Sequence, residues 1–136
     1  MDTNRLTAIP IFSDLSPQEA NRLATFATET SAAEGQILMK EGDYSVELIA
    51  IEEGTADVIQ NGKKVASLGR GDLIGEMGLL ERRPRNADVI ASSPMRLLKL
   101  THWEIRRMSE DTVNRIKALI EARRQSGDAD PADQSG

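Results

Sequence analysis

Between Glu34 and Leu100 the chain never runs far in one conformation: short β-prone segments recur, and each is closed by a glycine-containing turn. The segments are Ile37–Lys40, Glu47–Ile51, Ala56–Gln60, Val65–Leu68, Ala87–Ala91 and Arg96–Leu100. Between them stand Glu41-Gly42-Asp43, Glu53-Gly54, Asn61-Gly62, Gly69 to Gly71, and Ser93-Pro94. Asn61-Gly62, flanked by Val58-Ile59 and Val65-Ala66, is the strongest local hairpin signal, because a two-residue turn of the favoured hand needs positive φ at both positions. Many short strands with regular turns specify an antiparallel sandwich, barrel or jelly roll. At 136 residues there is room for one such domain.

Helices flank this β-rich stretch. Ser16-Pro17 with Glu19 forms a capping box with proline at the first helical position, which predicts a helix over about 16–28. Its inner side is assigned to Leu23 and Phe26. Ile9 to Leu15 forms an apolar lead-in. After the strands, Thr101 with Glu104 makes a second capping box, and Ser109-Glu110-Asp111 starts a further helix with acidic groups at its positive end. Helical spacing of Val113, Ile116 and Ile120, with Leu119 beside them, gives one apolar stripe. The expected domain is 1–125, with C-terminal helices over about 102–125. Residues 126–136 carry small, acidic, Pro and Gly residues and are expected to be a disordered tail.

Composition removes several chemistries. There is no cysteine and a single histidine, His102, so thiol catalysis, disulfides and a His-based metal centre are excluded. A net charge of -5 and a pI of about 4.9 argue against general affinity for nucleic acid or an anionic membrane. Neither a membrane-spanning apolar run nor a signal-peptide pattern is present, which predicts a cytoplasmic protein.

One stretch breaks the strand rhythm: Gly71-Asp72-Leu73-Ile74-Gly75-Glu76-Met77-Gly78-Leu79-Leu80-Glu81-Arg82-Arg83-Pro84-Arg85-Asn86-Ala87-Asp88-Val89. A single helical turn over Glu76 to Leu80 would aim unpaired N–H groups at an anion, and Gly75 and Gly78 would let that anion approach the backbone. Glycine spacing alone fits a plain surface loop better than an anion site. The segment as a whole closely resembles the phosphate-binding cassette of cyclic nucleotide-binding domains, the domain of the catabolite activator protein and of protein kinase A regulatory subunits. Glu34 to Asp43 and Glu52 to Val58 also resemble that family's opening strands, so the likeness runs from about Ile9 to Ile120.

The resemblance implies a jelly roll with flanking helices, one N-terminal and two C-terminal, and assigns roles. Arg85 would hold the cyclic phosphate with its planar, permanently charged fork, and Glu76 would accept from the ribose 2′-hydroxyl. Gly75, the backbone at Met77 and Gly78, and Asn86 and Ala87 would complete the cradle. Val46, Leu48 and Leu73 are the strand residues nominated to meet the base, with Ile116, Leu119 and Ile120 from the last helix swinging over it. The implied ligand is cyclic AMP, with cyclic GMP as the alternative because Asn86 stands where the family often has Ala, Ser or Thr. Asp88 replaces a common Thr or Ser and is expected on the strand, facing solvent. No cofactor, catalysis, nucleic acid or membrane is implied. With no output domain evident after the last helix, the signal is expected to pass to a protein effector or through self-association of the C-terminal helix. A ligand-free scaffold of the same fold is the competing reading.

Overall fold

The computed structural model describes residues 3–42, 47–75 and 87–101, together with Glu110, Asn114, Lys117, Ala118 and Glu121, all five of them helical. Near the N-terminus, a short helix α1 (Thr3–Thr7) and a 3-10 turn (Pro10–Phe12) precede α2 (Pro17–Phe26). The capping box forms as the sequence predicts: Ser16 Oγ accepts from the Glu19 N–H at 3.1 Å, and Glu19 Oε1 accepts from the Ser16 N–H at 3.0 Å. α2 buries Ala20, Leu23 and Ala24. Phe26, expected inside, is 36% exposed. At about 100° per residue, Phe26 falls roughly 110° from the centre of the Ala20-Leu23-Ala24 face, and Ala27 takes the inward position.

Among the described residues eight strands follow: β1 (Thr28–Ala32), β2 (Ile37–Met39), β3 (Glu47–Glu53), β4 (Ala56–Gln60), β5 (Lys63–Leu68), β6 (Leu73–Ile74), β7 (Asp88–Ala91) and β8 (Met95–Thr101). They form two four-stranded sheets, ordered β1-β8-β3-β6 and β2-β7-β4-β5, and every pairing is antiparallel. The β4–β5 hairpin closes on Asn61 and Gly62, with φ of 53° and 77°, between the paired Gln60 and Lys63. Both central residues therefore adopt the left-handed region that the primed turns require. Thr101, assigned above to a helix cap, is the last residue of β8 and pairs with Glu47. Its proposed partner Glu104 lies outside the described residues, as do residues 122–136.

The apolar residues divide into two clusters. One gathers Leu6, Ile9, Phe12, Leu15 and Leu23 from the N-terminal segments with Leu48, Ala50, Leu73, Leu98 and Leu100 from the first sheet. The other gathers Ile49, Ile51, Ile74 and Leu97 from the first sheet with Val58, Leu68, Val89 and Ala91 from the second. Successive strand side chains point to opposite faces, so β3 sends Leu48 and Ala50 toward the helices and Ile49 and Ile51 between the sheets. β3 and β8 are apolar on both sides because the sheet is covered on both sides. The described residues thus form a jelly-roll-like antiparallel core with flanking helices.

Candidate ligand-binding site

The glycine- and arginine-containing segment is anchored at each end in a different sheet. Upstream, the Gly71 N–H donates to Ile51 O at 2.8 Å and the Ile51 N–H donates to Asp72 O at 3.0 Å. The Asp72 carboxylate closes the preceding turn by accepting the Gly69 N–H at 2.8 Å. β6 then pairs Leu73 with Ala50 and Ile74 with Ile49, at the edge of the first sheet. Gly75 follows, buried, with φ of 84°, a left-handed conformation that glycine adopts without steric cost. Downstream, Ala87 is 1% exposed and leads into β7, which lies inside the second sheet between β2 and β4.

Ile74 and Ala87 both belong to the cluster between the sheets. The segment from 76 to 86 thus leaves one sheet and enters the other, with each end tied to the same apolar interior. Glu76, Met77, Gly78, Arg85 and Asn86 fall within that segment and lie outside the described residues, as do Val46, Ile116, Leu119 and Ile120. The site is defined here by its roots.

Leu48 and Leu73, nominated above to meet the base, both belong to the helix-covered cluster. At 1% and 2% exposure they pack in the cluster under the N-terminal helices, on the face turned away from the second sheet. Their strand neighbours Ile49, Ile51 and Ile74 face the inter-sheet side instead. The sequence does not separate the two faces here, because Leu48 to Ile51 and Leu73-Ile74 are apolar without a break. Only the pairing register and the helix cover separate them.

Asp88 is also not simply turned to solvent. Its Oδ1 accepts the Glu41 N–H at 2.7 Å, which ties the start of β7 to the turn after β2.

Among the described residues no group of three or more His, Asp or Glu side chains is arranged to hold a metal ion. No helix of the described residues is long and apolar enough to cross a membrane.

The model of the family described as "Cyclic nucleotide-binding domain" matches residues 29–112, from β1 through both anchors and beyond β8. The chain belongs to the cyclic nucleotide-binding domain family. A cAMP-dependent protein kinase regulatory subunit of Hypocrea atroviridis is 33% identical over 100 residues, covering 74% of this chain but only 22% of its own length. The chain thus spans about a fifth of that relative. Among solved structures, a cyclic nucleotide-binding protein from Geobacter metallireducens superposes with a TM-score of 0.76 at 22% identity, covering 90% of this chain and 98% of its own; that likeness is one of fold. A triple mutant of the regulatory subunit of a cAMP-independent protein kinase A from Trypanosoma brucei, bound to cAMP in its A site, gives 0.79 at 28% identity. It covers 90% of this chain and 45% of that one.

Proposed function

We propose that this cyclic nucleotide-binding domain is a non-catalytic, cytoplasmic sensor module that prefers cyclic AMP. The observation that carries the reading is the rooting of the 76–86 segment. Its two ends join the same inter-sheet apolar cluster, so a ligand held by the segment would bring its base against an apolar wall, as small-ligand sites require. Arg85 takes the cyclic phosphate, Glu76 the ribose 2′-hydroxyl, and the Gly75–Gly78 backbone completes the cradle. The base lies toward the side of Ile49, Ile51 and Ile74. The Hypocrea relative, a cAMP-dependent protein kinase regulatory subunit, supports cyclic AMP. The Trypanosoma relative, a triple mutant of a regulatory subunit bound to cAMP in its A site, supports the same ligand class. Ligand contacts made better in one arrangement shift the population toward it. The stripe of Ile116, Leu119 and Ile120 passes that shift to a protein partner or to a second copy.

Isothermal titration with cyclic AMP and cyclic GMP tests the reading. Arg85→Ala should weaken cyclic AMP binding by roughly one to two powers of ten, since a hydrogen bond to a charged group contributes about 1.5–3 kcal/mol and each tenfold is about 1.4 kcal/mol. Absence of heat and of thermal stabilisation with either nucleotide at millimolar concentration sinks the sensor. Tighter binding of cyclic GMP overturns the stated preference. Undiminished binding by Arg85→Ala removes that residue as the anchor.

A further inference from the structure

The β2–β7 ladder ends early. Its last backbone pair is Met39 with Val89, after a register shift between Ile37 and Met39. One step further along β7, where a ladder carbonyl would continue the pairing, a side chain takes over: Asp88 Oδ1 accepts the Glu41 N–H at 2.7 Å across 47 residues of sequence. That separation is at the short end for an N–H donating to a carboxylate, the stronger class of hydrogen bond. Asp88 directly follows Ala87, which is 1% exposed and already held in the inter-sheet cluster. On its other side Asp88 is in register with Ile59 of β4. The first residue of β7 is thus fixed from both flanks, by strand pairing on one and by its own carboxylate on the other.

We propose that Asp88 is a positioning residue for the phosphate-binding segment, fixing through the Glu41 N–H where that segment re-enters the second sheet. The inference rests on the cyclic-nucleotide reading above. Arg85 is two peptide units from Ala87, so its Cα stays within about 7 Å of Ala87 Cα in any conformation. A shift of the strand start therefore moves the root of the arginine directly. The acceptor and the charge of Asp88 act in opposite senses. The acceptor places the segment, whereas a carboxylate near a bound phosphate repels it. Asp88→Asn keeps a carbonyl acceptor without the charge; Asp88→Ala loses both.

The experiment is cyclic AMP titration of the full chain as wild type, Asp88→Asn and Asp88→Ala, with ligand-free melting curves and amide hydrogen exchange read at Glu41. Asp88→Ala should raise Kd by about tenfold, the scale of one charge-assisted hydrogen bond. Asp88→Asn should stay at the wild-type Kd or bind more tightly. The Glu41 amide should be protected in the wild type and Asp88→Asn and exposed to exchange in Asp88→Ala. A Kd for Asp88→Ala within about threefold of wild type overturns the positioning role even if its melting temperature falls, because the hydrogen bond would then serve stability alone. Equal weakening in Asp88→Asn and Asp88→Ala overturns the acceptor as the cause. Rapid exchange of the Glu41 amide in the wild type overturns the tether. A wild-type protein that binds neither cyclic AMP nor cyclic GMP overturns the underlying reading and the positioning role together, an outcome distinct from the other three.

Discussion

The two faces of the β1-β8-β3-β6 sheet are both buried and are made differently. Under the N-terminal helices the cluster is rich in leucine, with Phe12 and Leu6, Leu15, Leu23, Leu48, Leu73, Leu98 and Leu100. Between the sheets it is richer in β-branched and small residues, Ile49, Ile51, Val58, Ile74 and Val89 with Ala32, Ala56, Ala87 and Ala91, beside Met39, Leu68, Met95 and Leu97. Long, adaptable side chains fill the irregular gap between helices and a pleated sheet. Stiff β-branched side chains and alanines suit two sheets packed face to face. Ile74 and Ala87, at the two ends of the 76–86 segment, join the second kind of cluster, while Leu73 of β6 joins the first. One face has a fold to hold together; in the function proposed above, the other also supports the site.

Truncation on either face should separate these duties. Phe12, 1% exposed, lies in the helix-covered cluster, and Phe12→Ala should lose about 3–5 kcal/mol in a urea titration. The cyclic-nucleotide Kd of the protein that remains folded should not change. Ile51, 0% exposed between the sheets, should lose about 2–5 kcal/mol as Ile51→Ala and also bind nucleotide more weakly. Equal effects of the two variants on Kd would erase the division of labour.

Next in size comes a change that removes no apolar surface. Gly54 carries the chain from β3 in one sheet to β4 in the other, with φ of 94°. A Cβ there would stand 2.4 Å from Pro94 O and 2.9 Å from Met95 Cγ. The carbonyl belongs to backbone and cannot swing aside. Gly54→Ala should therefore cost roughly 2–4 kcal/mol from the clash and the left-handed φ together, measured by the same denaturation. A cost below that of an ordinary surface change would mean that the crossing between the sheets is loose, and that neither face is held as rigidly as the packing indicates.

How much of this was legible in the sequence follows the same division. The Asn61-Gly62 hairpin and the Ser16/Glu19 cap were readable because each is a local device whose chemistry sits within a few residues. β1 was not, since Thr-Glu-Thr-Ser-Ala has no apolar alternation and becomes a strand only by pairing with β8. β6 is two residues long and likewise owes its assignment to its partner β3. The segment proposed to bind phosphate was legible through its resemblance to a family. Which of Leu48, Ile49, Leu73 and Ile74 face the helices and which face the second sheet was not legible, because strands covered on both faces carry no alternation to read. Asp88 was noticed as a departure, yet its partner Glu41 lies far away in sequence and only the fold brings the two together.

The smallest expected effect concerns what holds the N-terminal cover in place. Arg5 of α1 donates from Nε to Glu52 Oε2 at 3.1 Å and from Nη2 to Glu52 Oε1 at 2.6 Å, a two-pronged pairing with β3. It also pairs with Glu29 of β1. Hydrogen bonds to Glu52, and then to Glu29, hold the guanidinium pKa above its ordinary value, so Arg5 is charged across any pH at which the protein would be assayed. It sits at the surface beside a shallow cleft bounded by Ile9, Ile51 and Arg70, where water and salt weaken ion pairs. Leu6, the next residue, is 0% exposed in the helix-covered cluster. Burial of Leu6 and Phe12 should thus hold the cover, with the ion pairs setting its angle. Arg5→Gln should lower the melting temperature far less than Phe12→Ala, by an amount that shrinks as sodium chloride is raised. A loss as large as that of Phe12→Ala, undiminished by salt, would show the cover to be held by charge and would reverse the contrast between its leucine-rich packing and the site-bearing interior.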